Sequence, residues 1–175
     1  MMDELEEVWK EIPDFPKYAV SNLGRVMNIR TENIVKEQRT PQGIIYVPLY
    51  GGPEKTKSVK VLVARAFLDH GDLDPKVFDT PINKDGDKSN NRVDNLAWRP
   101  RWFAVKYSRQ FLSPHPNSHV GPVYDKATNA MYDNVYTVAV TFGLLIRHVY
   151  RSTYAETPVF PTQQVFSIPN TIHVR

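Results

Sequence analysis

PINKDGDKSNNRVDNLAW, residues 81–98, decides how this chain is read. Asn83, Asn90, Asn91 and Asn95 alternate with Asp85, Asp87 and Asp94, and Lys84, Lys88 and Arg92 are set among them, with a glycine at 86. Asn and Asp side chains bond their own backbone and tolerate left-handed conformations, so this composition is turn chemistry rather than an amphipathic helix. Val93, Leu96 and Trp98 at the far flank are apolar and suited to short strands. The spacing predicts a long, polar, self-bonded loop bridging two short strands.

Working outward, VKVLVARAFL at 59–68 predicts an apolar helix or a strand-to-helix segment, with Val61, Leu62, Ala64, Ala66 and Phe67 for burial. The Asp74-Pro75 break lies in the polar connector that follows, so the helix should end near Leu68. Downstream, RWFAVKYSRQF predicts a second helix, with Trp102, Val105 and Tyr107 available for packing. Residues 8–28 alternate around Pro13, Pro16 and a Ser21-Asn22-Leu23-Gly24 turn, which predicts a hairpin of Tyr18–Val20 with Arg25–Met27. Gly43–Tyr50 and Lys57–Val61 read as strands around GGPEK, completing a small antiparallel sheet. Residues 111–122, FLSPHPNSHVGP, read as a linker.

The last third opens with VYDKATNAMYD, two short strands around a Thr128-Asn129 turn. In VYTVAVTFGLLIRHVYRST, counting from Val135, Ala139 falls fifth, Gly143 ninth and Val149 fifteenth, the spacing of a helix-turn-helix. Ala is small where two helices touch, Gly permits the sharp turn, and Val packs the second helix on the first. Two departures stand out: Leu145 replaces the usual polar cap, and Ser152 occupies an expected apolar position. A plain helical hairpin contributing to a core is the competing reading.

The 175 residues suit one domain or two small ones. The chain has no Cys, which removes disulfides, Cys-ligated zinc and cysteine nucleophiles. Nothing at MMDELEEVWKE has a signal-peptide core, and no apolar run is long enough to span a bilayer. The expectation is a soluble, intracellular protein without a membrane partner, located in the cytoplasm, or in a host cytoplasm if phage-encoded. A net charge of +3 permits nucleic-acid binding without demanding it. Residues 1–100 carry 15 Lys and Arg against 16 Asp and Glu, and residues 101–175 carry 7 against 3, so the C-terminal portion is the more cationic.

The run from Asp85 to Trp98 resembles the central segment of HNH endonucleases of the phage and intron type, which implies a ββα-metal fold closed by the helix after Trp98. Aligned on Gly86, Asn83 falls at the catalytic His position and Ile82 at a metal-binding one. Lys60 stands at a His of the preceding helix, and Ala104 at a metal-binding Asn of the closing helix. Asn95, which would orient the His, is retained. Trp9-Lys10, Ile12, Tyr18, Val20-Ser21-Asn22 and Gly24-Arg25-Val26 resemble the nuclease-associated modular DNA-binding motif. Residues 123–166 are similar to the helix-turn-helix repeat of the same endonucleases. The resemblance implies an α+β chain in four parts: a sheet module at 7–60, an HNH-like ββα domain at 61–110, a linker at 111–122 and a helix-turn-helix module at 123–168.

Nuclease chemistry of this kind needs a general base and a divalent metal. An Asn amide has no protonation change near neutrality, and Ile82 and Ala104 offer no oxygen to a hard cation. The expectation is therefore a double-stranded-DNA-binding protein of HNH descent that has lost its catalytic His and metal ligands and uses no cofactor. DNA contacts are expected from Arg25, Lys84, Lys88, Arg92, Arg147, His148 and Arg151. One alternative is an active endonuclease in which Asp85 and Asp87 hold Mg²⁺ and one of His70, His115, His119, His148 or His173 serves as base. Against it, the Asp pair has a structural role in pinning the loop and pairing with Lys84 and Lys88. A second alternative, prompted by the acidic head and modest charge, is a scaffold repurposed to bind a host or phage protein or to join a larger assembly.

Overall fold

A computed structural model describes residues 6–52, 55–112 and 121–169. In chain order these form β1 (Trp9–Ile12), β2 (Phe15–Ser21), β3 (Val26–Asn28), β4 (Gln38–Arg39), β5 (Ile45–Pro48), β6 (Thr56–Ser58), α1 (Val59–Phe67), β7 (Thr80–Asn83) and β8 (Leu96–Arg99). Then follow α2 (Arg101–Gln110), β9 (Val123–Asp125), β10 (Met131–Tyr132), α3 (Val135–Phe142), α4 (Ile146–Ala155) and β11 (Phe166–Ser167). The architecture is α+β, with small antiparallel sheets throughout. Two compact units emerge: the described residues up to Asn83 with Asp87–Ala104, and Lys84–Gly86 with the residues from Val105 onward.

In the first unit, β1-β2-β3 form one sheet, β4-β5-β6 a second and β7-β8 a hairpin. The expected pairing of the second and third strands occurs in the register Tyr18↔Asn28, Ala19↔Met27, Val20↔Val26. Gly24 takes φ +89 at their turn, a conformation open to glycine without a side-chain penalty. Strands β1 and β4 were not foreseen, the latter because two exposed residues, Gln38 and Arg39, carry no alternating pattern. The strand expected over Lys57–Val61 is corrected: β6 stops at Ser58 and α1 begins at Val59. Val59, Leu62 and Val63 recur at helical spacing and all are buried, so the helical face wins over β propensity. Helix α1 ends at the C-cap Leu68, where expected.

The β7-β8 hairpin pairs Thr80↔Arg99 through Asn83↔Leu96 and brackets the loop of residues 84–95. Its last turn, Val93–Asn95, is a short 3-10 helix rather than strand. The packing expected of α2 is corrected too: Trp102 and Val105 are exposed, whereas Phe103 and Tyr107 are buried. Residues 103 and 107 are four apart and share one helix face, and 102 and 105 fall outside it. The turn of helix α2 that carries Phe103 belongs to the first unit and the one that carries Tyr107 to the second.

In the second unit, β10-β9-β11 form a sheet, with Phe166↔Asp125 and Met131↔Tyr124 in register. Val123, Val135, Val138, Val149 and Phe166 form a core with no exposed surface. Asn134 caps α3 by accepting a hydrogen bond from the Thr137 amide at 2.8 Å. Gly143 closes it in the left-handed region. Most of the linker expected at 111–122, residues 113–120, lies outside the described residues.

Candidate nucleic-acid interface

The loop of residues 84–95 turns its amides inward. Asn83, 5% exposed, donates through Nδ2 to the Asn90 carbonyl at 2.7 Å and to Asn91 Oδ1 at 3.1 Å. Asn95 donates to the same Asn90 carbonyl at 2.8 Å. Both hydrogens of the Asn83 amide are thus committed to holding the loop's backbone path. Ile82 beside it is buried at 4% exposure. Helix α1 packs against β7 and β8 and brings Lys60, half-buried, to this region. Burial and the charge of Lys88 hold the Lys60 ammonium below the usual lysine range. Ala104, in the same unit, has no donor atom.

Among the loop's charged residues, Arg92 pairs with Asp94 at 3.1 Å across two exposed side chains. The pairing expected between Asp87 and Lys88 is corrected. Asp87 Oδ1 instead accepts from the Ser89 amide at 2.8 Å and hydroxyl at 2.7 Å, closing an Asx turn. Those bonds hold the Asp87 carboxyl below its usual range, with the charge of Arg39 adding to them. Among the described residues no group of three or more His, Cys, Asp or Glu is placed to hold a metal ion. Ile82 and Ala104 bring no side-chain oxygen to this region, and Asp87 turns Oδ1 to Ser89.

Sequence reasoning missed how the N-terminal turn is built into this loop. Asn22, buried, accepts from the Val8 amide through Oδ1 at 2.8 Å and donates to the Glu6 carbonyl at 2.9 Å. Its own carbonyl accepts from Val93 N at 2.8 Å. A Cβ on Gly24 would sit 3.2 Å from Asn91. Gly24 was the available signal, since close approach of two backbones needs a residue without a side chain. Arg25 is half exposed, forms a two-pronged ion pair with Glu7 and lies over the Trp9 ring. The pair holds Glu7 below the usual carboxylate range. His70 stacks on Trp98 with centroids 4.6 Å apart, and its Nε2 lies 3.0 Å from the Phe78 carbonyl, a packing role. His115, His119 and His173 lie outside the described residues.

In the second unit, the Tyr107 hydroxyl donates to the Lys84 carbonyl, and Gly86, at φ +81, leaves room for the Phe111 ring. Tyr107 thus ties the backbone at Lys84 to α2. Helix α4 buries Ile146, Val149, Ser152 and Thr153, and leaves Arg147, Tyr150, Arg151 and Tyr154 exposed. Arg147 and Arg151 are four residues apart, on one face. His148 is half-buried, and burial together with the charges of Lys106, Arg147 and Arg151 lowers its pKa.

Both departures in the helix-turn-helix spacing have a physical reason. The Gln110 side chain accepts from the Ile146 amide at 3.0 Å, replacing the cap that Leu145 cannot give. The buried Ser152 hydroxyl donates to the Thr157 carbonyl at 2.6 Å and accepts from the Phe166 amide at 3.0 Å, tying α4 to β11. An apolar residue at 152 would leave both of those backbone groups unsatisfied.

Residues 7–50 match the NUMOD4 motif. The chain is 37% identical over 103 residues to an uncharacterized HNH endonuclease of Acanthamoeba polyphaga mimivirus, covering 55% of this chain and 25% of that one. It is 38% identical over 92 residues to the DNA endonuclease I-HmuI of Bacillus phage SP01, covering 51% of each. The chain thus spans from a quarter to about half the length of these relatives. A solved structure of DNA binding and cleavage by the HNH homing endonuclease I-HmuI shares the fold at TM-score 0.50 and 23% identity, over 91% of this chain and 97% of that one. Among the described residues, no helix is long and apolar enough to cross a membrane. Residues 7–50 thus carry the NUMOD4 motif, about half of the chain is similar in sequence to HNH endonucleases, and the chain shares its fold with the I-HmuI structure.

Proposed function

We propose that this chain binds double-stranded DNA and does not cut it. The observation that carries the reading is Asn83. At the position where the resemblance calls for a general base stands a buried amide whose hydrogens are spent on the Asn90 carbonyl and on Asn91. Such a group accepts no proton near neutrality. Ile82 and Ala104 support the same reading, because neither can bring a divalent cation to a scissile phosphate. What is left for the chain is attachment.

On this reading residues 7–60 form a sheet module, 61–110 a ββα scaffold and 123–168 a DNA-contacting module, with Arg147, His148 and Arg151 presented by α4. Weak contacts made by modules on one chain reinforce each other through effective concentration. Arg at the groove edge would read bases, and Lys and Arg at phosphates would make affinity fall with salt. Fluorescence anisotropy with duplex DNA across a KCl series should show binding that weakens steeply with salt. Supercoiled plasmid incubated with Mg²⁺ or Mn²⁺ should stay intact. Nicking that disappears in Asp85→Ala or Asp87→Ala would replace this reading with an active nuclease using substitute ligands. Absence of any duplex binding at low salt would remove it.

A further inference from the structure

We propose that the cavity between β2, the end of β3 and the β5–β6 turn takes one unpaired nucleotide of a DNA strand, with its flanking phosphates at Lys17 and Arg30 and its base on the Tyr50 ring. This affinity for single strands is separate from the duplex contacts above and stands without them.

The cavity measures about 520 Å³ and is lined by residues 16–18, 28–30, 50 and 51, all within the first unit. That size holds a small ligand rather than a helix or a duplex. The β2-β3 ladder fixes one wall: Tyr18 faces Asn28, and the Ile29 amide donates to the Lys17 carbonyl at 2.9 Å. A Cβ on Gly51 would meet nothing within 4 Å, so the space beside Tyr50 is open.

Every charge on the lining is positive. Lys17 and Arg30 are exposed, no Asp or Glu lines the cavity, and among the described residues neither cationic side chain makes a hydrogen bond or ion pair. The cavity beside α1 differs: Glu11 and Asp14 line it, and its Lys10 already donates to the Ala66 carbonyl at 2.9 Å. Positive potential in a concave site draws anions, so the cavity at Tyr50 is the one suited to them.

The remaining groups narrow the anion. Tyr50 is 66% exposed, and among the described residues its ring meets no other ring and no cation. Tyr18 is only 7% exposed, yet among the described residues its hydroxyl makes no hydrogen bond, where a buried tyrosine ordinarily finds one. The sealed side-chain atom without a partner among the described residues is Gln164 Oε1, so the Tyr18 hydroxyl meets solvent, and the solvent space that Tyr18 lines is this cavity. Asn28 Oδ1 accepts from the Arg30 and Thr31 amides at 3.1 and 3.2 Å, which leaves both Nδ2 hydrogens available. A bare phosphate would use the cations and leave the ring idle. A nucleotide uses all of them: its base face covers the ring, and its edge oxygens accept from the hydroxyl and the amide. Base faces inside a duplex are covered by their neighbours, so the occupant is unpaired. Two cations match the phosphates on either side of one nucleotide in a strand.

The test uses the full chain and a short fluorescein-labelled oligothymidylate, with anisotropy read across a KCl series. Tyr50→Ala should weaken binding roughly five- to a hundredfold, the worth of one stacked base, and Tyr50→Phe should restore it. Lys17→Gln and Arg30→Gln should each lower the slope of log affinity against log salt by about 0.7, the value of one single-strand phosphate. Tyr18→Phe should cost about two- to tenfold in affinity at an unchanged melting temperature, because its hydroxyl holds no protein group. Duplex affinity should not respond to Tyr50→Ala. A wild type that binds no oligothymidylate at low salt, or a Tyr50→Ala variant that binds it as well as the wild type, would overturn the pocket and leave the duplex reading standing. Equal losses for oligothymidylate and duplex in Tyr50→Ala would also overturn it, as a general DNA contact. Thymidine monophosphate that competes as strongly as unlabelled oligothymidylate would overturn the strand as occupant in favour of a free nucleotide.

Discussion

The loop at 84–95 and the α3-α4 pair handle their polar side chains in opposite ways. Around the loop, Asn83, Asn95 and Asp87 point back at the backbone and are consumed in holding its path. On α4, Arg147 and Arg151 stand exposed beside a buried face of Ile146, Val149, Ser152 and Thr153, and among the described residues neither side chain makes a hydrogen bond or ion pair. Polarity and proximity to a motif do not make a site. What separates the two regions is whether a side chain's hydrogen-bonding capacity is already spent.

The comparison breaks most visibly at Asn83. Replacing it with Ala should destabilise the first unit by about 1–3 kcal/mol, because the Asn91 side chain and the Asn90 carbonyl lose a buried donor. Urea unfolding would read this, and DNA affinity per folded molecule should hardly change. On α4 the outcome should invert. Arg147→Ala or Arg151→Ala should each cost roughly tenfold or more in duplex affinity if the side chain reads a base edge, at about 1–3 kcal/mol. Stability should shift by less than about 0.5 kcal/mol. Equal losses of affinity and stability would erase the distinction.

His148 sharpens it through pH. Its folded pKa is depressed by burial and by Lys106, Arg147 and Arg151, so the unfolded chain binds the proton more readily. The stability it contributes is fully present above the ordinary value of about 6.5 and is lost as pH falls through the lowered folded value. Melting temperature from pH 8 to pH 5 should fall more for the wild type than for His148→Gln. The smallest effect belongs to Glu7→Gln. Arg25 is 53% exposed, so losing the pair should cost at most about 0–1 kcal/mol and nearer the low end. Duplex affinity should rise slightly if the released guanidinium reaches a phosphate, which the same anisotropy assay would read.

Much of this was legible from local chemistry. Asn and Asp density announced the loop, and the spacing of Ala139, Gly143 and Val149 announced the helix pair. The DNA-binding assignment of Arg25 rested on the resemblance of its turn to the modular DNA-binding motif, and its pairing with Glu7 depends on the segment leading into β1, which only the folded sheet brings beside it. Lys88 was read with its sequence neighbour Asp87, yet the Asx turn with Ser89 takes that carboxylate first. Lys60 looked like nothing more than a missing His. Its half-burial beside a second lysine depends on how α1 lies against the β7-β8 hairpin, contacts made between residues well separated in sequence.

The Gln110 bond to the Ile146 amide bears on how the chain can be divided. A fragment cut at the apparent boundary, residues 123–168, would start α4 without its cap, because the acceptor lies 36 residues upstream on another helix. Loss of a cap costs about 1 kcal/mol, enough to fray a ten-residue helix at the end that carries Arg147 and His148. The smallest fragment that keeps α4 capped therefore begins inside α2, ahead of the stretch that looks like a linker.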